Sequence, residues 1–259
     1  MEAMASQPVC PKCGGTGWIV VERPDISGAE RCDCIFETRS RRLEERAQIP
    51  PLYRNASFEN FSLPKDNPIA HRDMAQILLA VKGFVREFPN DRRPGLLLVG
   101  DPGTGKTHLA VAAMRLLLDR GFECLFFDYQ NLLDSIRAGY DAASNSANKE
   151  AYRFALETEV LLLDDLGAHR VTDWVEDTVT SIVTYRCNNR IPLIATTNLP
   201  DPEAGSSYIE KSSVLPGVRE YKTTLAERIG SRARSRLFEM CKVVRMPLVE
   251  DYRLRRSSN

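Results

Sequence analysis

Two periodicities organise most of this chain. In residues 71–88 apolar side chains fall at Met74, Ile77, Leu78, Val81, Phe84 and Val85, the spacing of one helix face. Residues 107–120 read as a second helix, with Gly121 at the C-terminal stop. Residues 172–189 read as a third, with Thr172 as its N-cap, and 221–240 as a fourth. Between the helices stand short continuous apolar runs, 96–99, 124–127, 160–163, 193–196 and 241–246. Runs of this kind predict strands buried on both faces, and their alternation with helices predicts an α/β fold: a parallel sheet covered by helices on both sides.

The first 50 residues lack that rhythm. Residues 36–48 (FETRSRRLEERAQ) place Arg and Glu at short helical spacings and predict an exposed connecting helix, stopped by Pro50 and Pro51. A boundary there divides the chain into a small module, 1–48, and a larger domain, 49–259. Residues 142–149 (AASNSANK) read as a flexible surface loop. The stretch 201–222, rich in Gly, Ser and Pro, reads as a mobile loop without an assigned role.

Composition narrows the classes. The apolar fraction of 43% supports a buried core, which excludes wholesale disorder. No apolar run approaches the roughly 20 residues of a membrane span. The N-terminal residues show neither a basic segment nor an apolar segment of a secretory signal. Seven cysteines, an odd number in a long chain, argue against a disulfide-stapled secreted module, so a reducing cytoplasm is expected. Lys+Arg and Asp+Glu balance at 35 each, so any nucleic-acid argument has to rest on local charge.

Between the first strand of the larger domain and the following helix stands GDPGTGKT: Gly100, Asp101, Pro102, Gly103, Thr104, Gly105, Lys106 and Thr107. It fits G-x-x-x-x-G-K-[ST]. The glycines let the backbone curl so that successive N–H groups face phosphate oxygens, and the helix beginning near Lys106 adds its positive end. Lys106 brings a point charge to the β/γ-phosphates, and the Thr107 hydroxyl is a magnesium ligand. The strand LLLDDLG ends in Asp164 and Asp165 at the carboxyl edge of the sheet, where ligands bind in such folds. Asp164 is expected to hold Mg²⁺ and Asp165 to polarise the attacking water; an Asp pair that merely ends a strand in solvent is the alternative. The next strand tip, Thr196-Thr197-Asn198, presents Asn198, which either orients water or senses the γ-phosphate, or simply makes a turn.

Phosphate loop, Asp-Asp strand and Thr-Thr-Asn tip together resemble an AAA+ ATPase. The segment LAERIGSRARSRLFEMC, 225–241, is similar to the arginine-finger segment of that family, with Arg236 at the finger position and Arg232 as runner-up. The resemblance implies that such an arginine completes a neighbouring subunit's site, whereas the residues alone read as a basic helix face. Only 23 residues follow Arg236, which leaves no room for the C-terminal helical lid of most AAA+ proteins. The lidless branch comprises the bacterial replicative helicase loaders (DnaC/DnaI-like) and the IstB-like transposition helper ATPases, and IPPLYRNASFENF, 49–61, resembles the lead-in of that group. The resemblance implies an ATPase that binds ATP, Mg²⁺, the replicative helicase and single-stranded DNA in replication initiation. A transposition helper, or a nucleotide-gated adaptor with little hydrolysis, is the alternative. Asp165 departs from the glutamate most AAA+ proteins carry at that position.

Cys10-Pro-Lys-Cys13 and Cys32-Asp-Cys34 form CxxC and CxC pairs 18 residues apart. Four thiolates on two tight turns can close a tetrahedron around Zn²⁺. Metal binding can contribute about 10–16 kcal/mol, enough to fold a segment with almost no core. Free or redox thiols are the other reading. The resemblance implies that transposition helpers lack such a module, which favours the loader, with the module docking the helicase. Cys124, Cys187 and Cys241 stand singly and read as core residues; His71, His108 and His169 are isolated. Between 219 and 256 eleven basic residues face five acids, a local net charge of +6, which suits DNA phosphates, a neighbour's nucleotide pocket or a solvated face.

Overall fold

The computed structural model of the chain describes residues 10–23, 26–65, 67–139, 146–201, 223–249 and 251–252. It opens with an antiparallel hairpin, β1 (Trp18–Arg23) and β2 (Ile26–Arg31), followed by helix α1 (Cys34–Arg46). Helix α2 (Pro68–Glu87) starts where the Asn67 side chain accepts the N–H groups of Ile69 and Ala70, with Pro68 as its first residue. Then strands and helices alternate: β3 (Gly95–Val99), α3 (Lys106–Asp119), β4 (Cys124–Asp128), α4 (Tyr129–Ala138), α5 (Ser146–Glu157), β5 (Val160–Asp164), α6 (Asp173–Asn188) and β6 (Leu193–Thr197). Helices α7 (Leu225–Ile229) and α8 (Ser231–Met240) lead into β7 (Cys241–Arg245).

The last five strands form one parallel sheet in the order β4-β5-β6-β3-β7. Alternate side chains of each strand feed two separate cores. Leu96, Leu98, Phe126, Leu162 and Ile194 pack with α2 and α3, while Leu97, Leu161, Leu163 and Leu193 pack with α4 to α8. Each fully buried leucine is worth about 1.5–3 kcal/mol relative to exposure, which is why these runs contain no polar alternation. All five expected strands of this sheet are present, as are the helices expected at 71–88, 107–120 and 172–189, the last capped by Thr172 accepting the Val175 N–H.

Four features depart from the sequence reading. The helix expected over 221–240 is split: Gly230, at φ +83, separates α7 from α8, and a Cβ there would stand 2.4 Å from the Glu176 carboxylate. The loop expected at 142–149 is helical from Ser146, the remainder lying outside the described residues. The hairpin and α5 lie outside the elements expected from sequence, and so does α4, although its buried Tyr129, Leu132, Leu133 and Ile136 fall at i, i+3, i+4 and i+7, a clear helical spacing. The connecting helix does not stand free: Arg115 of α3 pairs with Glu44 at 3.0 Å, Ser40 donates to Asp119, and the Ala47 carbonyl accepts the Phe126 N–H at the edge of the sheet. Ala47 and Ile49 are buried in the α2/α3 core.

One buried cation also shapes the fold. Arg186 is fully buried, and its guanidinium donates to the carbonyls of Ala155, Leu156, Thr158 and Pro192. It thereby ties the end of α5 to the two loops that launch β5 and β6. Among the described residues no helix is long and apolar enough to cross a membrane.

Candidate functional site

The loop between β3 and α3, residues 100–105, sits at the carboxyl edge of the sheet and is bound back on itself. The Gly100 N–H donates to the Thr197 carbonyl at 3.2 Å, tying the loop's start to the tip of β6. The Asp101 carbonyl accepts both the Thr104 hydroxyl, at 2.8 Å, and the Lys106 ammonium, at 2.9 Å. Gly103 and Gly105 adopt φ +75 and +89, and neither tolerates a side chain. A Cβ on Gly103 would lie 2.0 Å from the Asp251 carboxylate, and one on Gly105 2.6 Å from the Phe61 ring. Gly105 is also the N-cap of α3 and has no side chain to occupy the helix's first N–H groups. Those donors, with the helix dipole behind them, form a cradle for an anion.

The lead-in segment forms one wall. Ser57 and His108 are joined at 2.8 Å through the Ser57 carbonyl, and the Phe61 ring packs edge-on against His108. His108 thus fastens residues 57–61 beside the loop, a packing role. On the opposite flank the Met246 N–H donates to the Val99 carbonyl and the Tyr252 N–H to the Gly103 carbonyl, so the chain beyond β7 folds back against the loop.

The tip of β5 meets this cradle. Asp164, 8% exposed, accepts the Thr107 hydroxyl at 2.8 Å and the Thr196 hydroxyl at 2.6 Å. Burial pushes its carboxyl above the usual carboxylate range. The two hydroxyls pull it back, and the charges of Asp165 and Asp128 push it further up. A divalent cation would relieve both the desolvation and the repulsion. The donors present, a hydroxyl and a carboxylate 2.8 Å apart beside an anion cradle, are hard oxygens of the kind Mg²⁺ takes. Asp165 is exposed, with φ +55, and its N–H donates to Thr196 Oγ1 at 3.0 Å.

Thr196 therefore bridges both acids, and sequence reading missed it by choosing Asn198. Two consecutive threonines inside a strand buried at every position were the available signal, because a buried hydroxyl needs a partner. Asn198 itself is exposed, one residue beyond β6. Arg236 is exposed on α8 and pairs with Glu239 at 2.7 Å, one helical turn on, which raises its pKa. The structure brings Lys106, Thr107 and Asp164 together with the phosphate loop; Asn198 and Arg236 make no described contact with that cluster. Of the +6 segment, Arg219, Lys222, Arg253, Arg255 and Arg256 lie outside the described residues, as does the stretch 202–222.

The four N-terminal cysteines converge. Their sulfurs all lie within 4.8 Å of one another, with Cys10 3.8 Å from Cys32 and Cys13 3.4 Å from Cys34. A tetrahedron with Zn–S bonds of about 2.3 Å has edges of about 3.8 Å, so the set fits Zn²⁺. The turns are closed by backbone bonds: the Gly14 N–H to the Cys10 carbonyl, and the Cys32 N–H to the Gly17 carbonyl, both 2.8 Å. The thiols already share charge unequally. Desolvation acts to raise the Cys13 thiol, but the Gly17 and Gly15 N–H groups and neighbouring thiols outweigh it and lower it to about 6. Cys34 is pushed up, chiefly by its hydrogen bonds to Cys13 and Cys32. Cys124 and Cys241 are core residues, as their isolation suggested, and Cys187 is half-buried.

A family model described as IstB-like ATP binding protein matches residues 35–213. The protein YqaM of Bacillus subtilis is 28% identical over 177 residues, covering 66% of this chain and 55% of that one. The replicative helicase loader DnaC of Buchnera aphidicola from Schizaphis graminum is 26% identical over 152 residues, 59% of each chain. The chain thus spans little more than half the length of these curated relatives. Among solved structures, a crystal structure of the DnaC helicase loader superposes with a TM-score of 0.59 at 29% identity, covering 76% of this chain and all of the other.

Proposed function

The chain belongs to the family of IstB-like ATP binding proteins, and on that premise we propose that it is an AAA+ ATPase that loads a replicative DNA helicase onto single-stranded DNA. The observation that carries the nucleotide chemistry is the convergence of Thr107, Asp164 and Thr196 within 2.8 Å contacts beside Lys106. The loop N–H groups of 103–107 bind the phosphates of ATP, and Lys106 moves from the Asp101 carbonyl to the β/γ-phosphates. Thr107 and Asp164 hold Mg²⁺. When bound there, Mg²⁺ supplies charge neutralisation on the phosphate oxygens. Asp165 orients and polarises water, Asn198 positions it, and Arg236 reaches the γ-phosphate held by an adjacent protomer.

The resemblance to DnaC supports the loader assignment. In this reading 49–259 is the ATPase domain, and 1–48 is a Zn²⁺ module that docks the helicase. The family description favours one competing reading, a transposition helper that binds duplex DNA and a transposase. Affinity capture separates the two. The tagged full-length chain with ATP and Mg²⁺ is expected to retain its host's hexameric helicase and to deposit it on single-stranded circles. Retention of a transposase instead, with no helicase, overturns the loader reading.

A further inference from the structure

A concave groove of 510 Å³ lies between the cysteine turn and α1, well away from the phosphate loop in sequence. One wall is the backbone of residues 15–17, and the floor is formed by Ile35 and Leu43. The other wall is a ladder of three exposed arginines, Arg39, Arg42 and Arg46, at i, i+3 and i+7 on one face of the helix. Of the acids on α1 whose side chains are described, Glu44 pairs with Arg115 at 3.0 Å and Glu45 with Arg41 at 3.2 Å. Arg39 donates to the Gly121 carbonyl, and among the described residues no carboxylate pairs with Arg39, Arg42 or Arg46.

A cleft lined by charge of one sign concentrates counter-ions of the other, so three arginines on one groove favour an anionic ligand. The form of the site narrows which anions. Successive arginines one helical turn apart address a string of charges, not a single ion. Guanidinium forks match phosphate oxygens two at a time, which lysines do not. The apolar floor can receive the face of a sugar or base. We infer that this groove binds the sugar-phosphate backbone of a single nucleic-acid strand, as a second DNA contact on the N-terminal module.

The inference rests on the DNA-binding part of the function proposed above and is independent of helicase capture. The test is fluorescence anisotropy of a labelled oligo(dT) with the zinc-replete full-length chain over a range of salt. The variants are the double change Arg42→Ala/Arg46→Ala and, as control, Arg41→Ala, which lies off the groove. Each phosphate neutralised on a single strand contributes about 0.7 to the log–log salt slope. The double variant should therefore bind about 25-fold more weakly near 0.1 M salt, with a slope shallower by about 1.4. Arg41→Ala should bind as the wild type does, and all three proteins should bind ATP alike. A double variant with wild-type affinity and slope overturns the inference. So does an equal loss of binding to a labelled polyglutamate peptide, which would make the groove a dock for acidic protein. A wild-type chain that binds no oligo(dT) at all instead removes DNA binding from the proposed function.

Discussion

Thr196 and Arg186 show how single polar side chains decide this fold and its site. Thr196 accepts the Asp165 N–H and donates to Asp164, so it fixes the direction of both acids at once. Valine has its shape without the hydroxyl. Thr196→Val should lower Mg²⁺-nucleotide affinity about 10–100-fold, the usual loss when a ligand's supporting hydrogen bond is removed, with an unchanged far-UV spectrum. Titration of nucleotide in the presence of varied Mg²⁺ checks it. The raised pKa of Asp164 adds a pH signature. The folded chain keeps this proton to higher pH than the unfolded chain does. Its contribution to stability is therefore present at low pH and is lost as pH rises through the raised pKa. Mg²⁺, which takes the carboxylate, should reverse that trend. Thermal melts between about pH 4 and 7, with and without Mg²⁺ and with Asp164→Asn as control, should show the crossover only when Asp164 is present. Arg186 acts on stability alone. Its replacement by leucine strands four carbonyls that share its guanidinium and should cost about 3–5 kcal/mol in urea unfolding. The charge and the carbonyls it serves come from separate elements, so nothing in the local sequence announced this residue.

At the scale of elements, legibility followed burial. β3, β5 and β6 are buried at every position, and their short apolar runs, too brief for helices and set between helical segments, read as interior strands. The phosphate loop was legible because its glycines answer to backbone geometry fixed within eight residues. The hairpin β1–β2 was not, since Trp18 and Val20 remain exposed and no core imposes a period on it. Its order comes from four sulfurs brought together across two turns. The break at Gly230 was hidden for a different reason: what requires glycine there is its backbone, at φ +83, which no hydrophobic pattern announces. If 1–48 folds around metal and 49–259 around its own cores, chelation should separate them. Purified protein is expected to carry one Zn²⁺. A strong chelator should expose residues 10–33 to protease while ATP binding persists. Retention of the metal should weaken as pH falls, because protons compete with it for the four thiolates. Elemental analysis across pH reads this directly, and less than half an equivalent at pH 8 would remove the metal from the description.

For the whole molecule, the order β4-β5-β6-β3-β7 sets Thr197 on β6, directly beside the strand that launches the phosphate loop, and Asp164 on β5, one strand further, so three separately encoded tips meet at one edge. Lead-in segment, phosphate loop and the chain beyond β7 close around the same point, which makes that edge the place where occupancy can be felt by both ends of the larger domain. Every later role, from grip on a helicase to grip on DNA, depends on a triphosphate being held there with its cation. Isothermal calorimetry of ATP into the full-length chain, with and without Mg²⁺, and into Lys106→Ala, measures this most directly. One Mg²⁺-dependent site per chain, lost in Lys106→Ala, is the expected result. An absence of binding heat in the wild type, or undiminished binding in Lys106→Ala, would contradict it.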